Sequence, residues 1–164
     1  GRRKEFSDFP EFSAPNAIAR IPDPQSADTF AASRLRWDEQ QEPEHRAGLA
    51  LHRALLRLRG ERAALGGSDE YEIEAWATNG DTLVMQRGAR DEEPVLIVAR
   101  LRGDGPIEVP LFADADWRQL LSTEDERFAI DPVPPLLDRP AGVIKFHRPG
   151  ALVFSRSGAK PPGQ

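Results

Sequence analysis

The sequence predicts a mainly β protein: an antiparallel β-sandwich in the second half of the chain, preceded by one amphipathic helix and a long loop. Three observations carry that expectation. From Tyr71 onward, short apolar runs recur about every ten residues with Gly, Pro or Asn-Gly turns between them. Residues 43–65 carry one apolar stripe at helical spacing. Residues 1–42 follow neither a helical nor a strand period, and scatter Phe6, Phe9, Phe12, Phe30 and Trp37 among Pro10, Pro15, Pro22 and Pro24.

Within that loop one short helical turn is expected near Ala27 to Arg34, where Ser26 or Asp28 can cap the first free amides. The helix that follows starts at Pro43, whose missing N–H costs nothing at the first helical position. Glu42 and Glu44 favour its positive end, and Arg57, Arg59 and Arg62 its negative end. Ala47, Leu51, Leu55 and Leu58 form its stripe with Leu56 beside them, so the helix needs a partner surface. Leu65-Gly66-Gly67 supplies its stop.

Asn79-Gly80 then joins two alternating strands, Tyr71 to Trp76 and Thr82 to Gln86, because both residues tolerate the left-handed backbone of a tight hairpin. Val95 to Ala99 is continuously apolar and reads as a central strand covered on both faces. Ile107 to Leu111 follows as a further strand after the Gly103 to Pro106 turn. Trp117 to Thr123 and Arg127 to Ile130 are weaker strand candidates separated by an acidic turn. A Pro-rich link from Pro132 to Pro140 leads to Val143 to Phe146 and Ala151 to Phe154, and residues 157–164 read as a disordered tail.

Composition narrows the function. Residues 1–66 carry 11 Lys and Arg against 10 Asp and Glu, and residues 67–164 carry 11 against 17, so the β region is too acidic for a nucleic-acid surface. The chain has no Cys, and His45, His52 and His147 lack ligand spacing, which excludes thiolate or paired-His metal sites; no metal is expected. No apolar run is long enough to cross a bilayer and no leader pattern opens the chain, so no membrane partner and a cytoplasmic setting are expected. Nucleophile elbow, phosphate loop and dinucleotide fingerprint are all missing.

Two blocks carry polar chemistry. Arg2, Arg3, Lys4 and Glu5 can line a carbohydrate site by bonding sugar hydroxyls, or form a solvated charged loop. Asp23-Pro24-Gln25 places a carboxylate and an amide on a stiff backbone, which suits orientation of a sugar, or an Asx-turn in which Asp23 bonds its own backbone. Phe6 and Phe9 can stack on a ring or anchor the loop, and Phe30 and Trp37 read as structural. The pairs Glu92/Glu93, Asp114/Asp116 and Glu124/Glu126 lie in turns without neighbouring His or aromatics, so none reads as the two carboxylates of a glycosidase.

In order and spacing, GRRKEF, then DPQSADTFAASRLRW, then a Leu/Arg-rich helix resembles the last part of malto-oligosyltrehalose trehalohydrolases, members of the α-amylase superfamily of glycoside hydrolases. The resemblance implies that residues 1–67 are the last loop and helix of a (β/α)8 catalytic barrel, and residues 68–156 the sandwich that follows it. A barrel needs about 250 residues, so most of it would lie outside this chain. Arg3, Lys4, Glu5, Asp23 and Gln25 become candidate substrate-binding residues, and Leu51, Leu55 and Leu58 the contact for the absent barrel.

The family's nucleophile, acid/base and transition-state carboxylates sit on earlier strands, and no residue here matches their motifs. The implied whole enzyme hydrolyses the α-1,4 bond next to the trehalose end of malto-oligosyltrehalose with retention and without a cofactor, and this segment alone is expected to be inactive. Two alternatives stand beside that reading: a non-catalytic carbohydrate-binding or structural sandwich, which needs exposed coplanar aromatics, and the tail of another superfamily member such as a branching enzyme.

Overall fold

A computed structural model describes residues 22–66, 72–88, 93–113 and 116–156. The chain divides into two compact units, Gly1–Glu39 and Gln40–Gln164. In the first, the expected helical turn is α1, Ala27–Ala32, and Ser26 is its cap, with the Oγ accepting from the Asp28 amide at 3.2 Å. A 3-10 turn, Trp37–Gln41, follows.

The second unit opens with α2, Pro43–Glu61, four residues shorter than the predicted run. Arg62 takes an extended backbone and the chain re-enters as a 3-10 turn, Ala63–Leu65. The cause is packing: Ala64 is 2% exposed in a cluster with Val95, Leu121 and Val153, and the Arg62 guanidinium donates to Glu93 at 2.6 Å. The break in α2 turns the chain onto the sheet.

Eight strands follow among the described residues, all antiparallel to their neighbours. β1 (Glu72–Thr78), β2 (Thr82–Gly88), β3 (Val95–Arg100), β8 (Gly150–Arg156) and β5 (Trp117–Ser122) form one sheet in the order β1-β2-β3-β8-β5. β4 (Gly105–Glu108), β7 (Val143–Phe146) and β6 (Leu136–Asp138) form the second, in the order β4-β7-β6. The sheets share a core to which the first gives Val84, Leu96, Val98, Trp117, Leu152 and Phe154, and the second gives Ile107, Ile144 and Phe146. This is the predicted antiparallel sandwich with a helix before it.

Strand alternation explains why β3 is apolar throughout. Leu96 and Val98 face the second sheet, whereas Val95 and Ile97 face outward beneath α2, with Leu51, Ala54 and Leu58 of the helix against them. The helix therefore belongs to the same compact unit as the sheets. Leu51 and Leu58 rest on the sandwich, while Leu55 is 42% and Leu56 67% exposed.

The β1–β2 hairpin turns at Asn79 (φ 52°) and Gly80 (φ 70°), the left-handed pair its sequence predicts. Three local expectations fail. The Ile107 to Leu111 strand ends at Glu108, because Pro110 starts the four-residue helix α3, Pro110–Ala113, which buries Phe112. Arg127 to Ile130 forms no strand: the Asp125 carboxylate and carbonyl take the amides of Arg127, Phe128 and Ala129 into a turn. The Pro-rich link contains β6, a short edge strand that pairs with β7 on one side only, a position that tolerates flanking prolines.

Candidate functional site

Of the candidate substrate-binding residues, Asp23 and Gln25 fall among the described ones, while Arg3, Lys4 and Glu5, with Phe6 and Phe9, lie outside them. Asp23 makes the Asx-turn: its Oδ1 accepts from the Gln25 amide at 3.0 Å and its carbonyl accepts from Ser26 at 3.0 Å. The turn feeds directly into the Ser26 cap of α1. A local hydrogen bond and exposure to solvent are compatible. Both side chains are exposed, so the Gln25 amide and the second Asp23 oxygen stand in water on a fixed backbone.

Phe30 and Trp37 differ from expectation. They are 70% and 72% exposed, and no residue of α1 or of the Trp37–Gln41 turn is buried. Arg36 pairs with Glu39 at 3.3 Å across the base of that turn. The segment 22–39 thus presents two open aromatic faces, a carboxylate and an amide. The sequence showed both aromatics, but their place just before a helix that needs covering favoured a structural role.

Among the described carboxylates of the β region, Glu93, Asp116, Glu124 and Asp125 lie against arginines, and Glu92 and Asp114 fall outside the described residues. Glu124 is the one buried charged residue among those described, and its Oε1 and Oε2 accept from Arg148 at 2.9 and 2.5 Å. Val133 N–H donates to the same Oε2 at 2.8 Å, and Arg148 also donates to the Asp131 carbonyl. The Arg148 hydrogen bond holds the Glu124 carboxyl below its usual range, against the opposing pull of burial. Asp125 is lowered to about 2 by Arg127, whose guanidinium grips it at 2.7 and 2.8 Å.

Elsewhere Glu93 meets Arg62, and Asp116, 95% exposed, lies 4.0 Å from Arg139. None of these groups faces a second carboxylate across a cleft, which is the arrangement glycoside hydrolysis requires. Among the described residues no group of three His, Asp or Glu side chains is placed to hold a metal, and no helix is long and apolar enough to cross a membrane.

No family model matches the chain. Malto-oligosyltrehalose trehalohydrolase of Deinococcus radiodurans is 37% identical to it over 97 residues, 59% of this chain and 15% of that enzyme. Over that stretch the chain resembles a malto-oligosyltrehalose trehalohydrolase. It therefore spans a small part of the length of the curated relative. The alpha-amylase from H.orenii superposes on 73% of this chain and 22% of its own, with a TM-score of 0.51 and 15% identity, a likeness of fold. The sequence likeness is to a trehalohydrolase, and the likeness to the α-amylase is one of fold alone.

Proposed function

We propose that this chain is the C-terminal region of a glycoside hydrolase that releases trehalose from malto-oligosyltrehalose by cutting the α-1,4 bond next to the trehalose end, and that the region is inactive alone. The observation that carries this reading is the 37% identity to a trehalohydrolase. The motif order GRRKEF, DPQSADTF, helix, sandwich supports it.

In this reading the nucleophile and acid/base carboxylates come from barrel strands outside the chain, and residues 22–39 orient the sugar. Asp23 and Gln25 bond hydroxyls from a turn that their own hydrogen bond stiffens, so little further ordering is needed on binding. The open rings of Phe30 and Trp37 suit stacking on a pyranose face. Arg3, Lys4 and Glu5 are further candidates for binding the same substrate. The helix α2 joins the two layers: Leu51 and Leu58 hold the sandwich, and Leu55 with Leu56 offers apolar surface to the barrel.

The sandwich itself does not favour a carbohydrate-binding module. Trp117 is buried with its Nε1 donating to the Leu111 carbonyl at 2.7 Å, and Trp76 and Phe128 are packed against the two cores. The test is kinetic. In the polypeptide that carries this sequence, Asp23→Ala and Gln25→Ala should each lower kcat/KM for malto-oligosyltrehalose by about tenfold or more while leaving thermal stability unchanged. Unchanged kinetics in both variants would remove this turn from the substrate site.

A further inference from the structure

Within the second unit a groove lies between α2 and the segment from β5 to the turn after it. It encloses about 510 Å³, within the range of small-molecule sites. Its floor is apolar, with Leu58 from the helix and Leu121 and Phe128 from the β side, all members of the outer cluster of the sheet. Its rim is cationic. Arg53 and Arg57 project from successive turns of α2, an i,i+4 pair of like charges that weakens an isolated helix. Neither forms an ion pair with a described residue, although the chain has 27 acidic residues against 22 basic.

The remaining wall is pre-ordered. Arg127 is neutralised by Asp125 and lies over the Phe128 ring at 4.8 Å, which gives a flat face in place of a third free cation. Glu61 at the end of the groove leaves one net positive charge at the rim. An inorganic anion would gain nothing from the floor, and a neutral apolar molecule nothing from the arginines.

We propose that this groove binds a small amphipathic organic anion, with its apolar body on Leu58, Leu121 and Phe128 and its carboxylate, sulfonate or phosphate head held by Arg53 and Arg57. The proposal is independent of the glycosidase reading. Both guanidiniums are solvent-exposed, so their contribution is screened by salt.

The test uses the amphipathic anion anilinonaphthalenesulfonate as the probe, followed by fluorescence titration of the full chain. Saturable binding to one site is expected. The double variant Arg53→Gln with Arg57→Gln should weaken it about tenfold with the far-UV circular dichroism unchanged, whereas the Arg→Lys pair should retain most of it. Raising salt from about 50 mM to about 500 mM should weaken the wild type more than the Gln pair. Leu56→Gln, on the open side of α2, should leave binding unchanged. Binding that survives loss of both arginines, or that Leu56→Gln abolishes, would overturn the proposal.

Discussion

At the scale of single residues, Glu124 decides how the end of β5 is held. One carboxylate joins the Thr123 to Asp125 turn to Val133 and, through Arg148, to Asp131. Replacing it with Ala leaves the Val133 amide without its acceptor and Arg148 with only the Asp131 carbonyl, and should cost about 2 kcal/mol in chemical denaturation. The pH dependence has a definite sign. Glu124 and Asp125 are both held below their unfolded values, so their stabilisation is complete above about pH 4–5 and is lost as pH falls through the folded pKa, about 2 for Asp125. Melting temperatures followed from neutral pH into the acid range should show Glu124→Ala fully destabilised at neutral pH, with the difference from the wild type shrinking as pH falls. A constant difference across that range would show that the carboxylate's charge is irrelevant. The sequence marked Glu124 only as a turn acid, because its partner Arg148 is 24 residues away and no local pattern joins them.

At the scale of elements, glycines separate tolerance from constraint. Gly48 lies inside α2 with nothing within 4 Å of the place a Cβ would occupy, so Gly48→Ala should raise stability by about 0.5–1 kcal/mol through helix propensity. Gly142 is different: it has φ 64°, and a Cβ there would stand 3.2 Å from both the Val109 carbonyl oxygen and the Ala113 Cβ. Its own carbonyl accepts from Val109 at 2.8 Å, so Gly142→Ala should cost about 1–3 kcal/mol in the same assay.

Element type was legible where the pattern was local. The Asn79-Gly80 turn, the Pro43 start of α2 and the unbroken apolar run of β3 all declared themselves. Boundaries and minor elements were not, since the end of α2 is fixed by burial of Ala64 under the sheet, and β6 exists only because β7 offers an edge. The Ala47, Leu51, Leu55, Leu58 stripe combined two directions: Leu51 and Leu58 meet β3 and β8, whereas Leu55 points away with Leu56. A stripe at mixed 4, 4 and 3 steps spans enough of the helix circumference to touch two surfaces.

At the scale of the whole molecule, the second unit is a sandwich with its own core, and the described part of the first has no buried residue. Of the candidate site, the Asx-turn at Asp23 with an exposed Gln25 was legible, because Asp-Pro-Gln is a local turn signal, whereas Arg3, Lys4 and Glu5 lie outside the described residues. Catalytic carboxylates act in pairs, and the described members Glu93, Asp116 and Glu124 each lie against an arginine, Arg62, Arg139 and Arg148, instead. The 164-residue chain alone should therefore show no glycosidase activity on malto-oligosyltrehalose, read as released trehalose.

The most direct measurement of the central claim is to isolate the native polypeptide that contains residues 72–156 and assay trehalose release from malto-oligosyltrehalose beside a plain malto-oligosaccharide of equal length. The account predicts trehalose as product and strong preference for the trehalose-ended substrate. Hydrolysis of both substrates alike, or of neither, would contradict it.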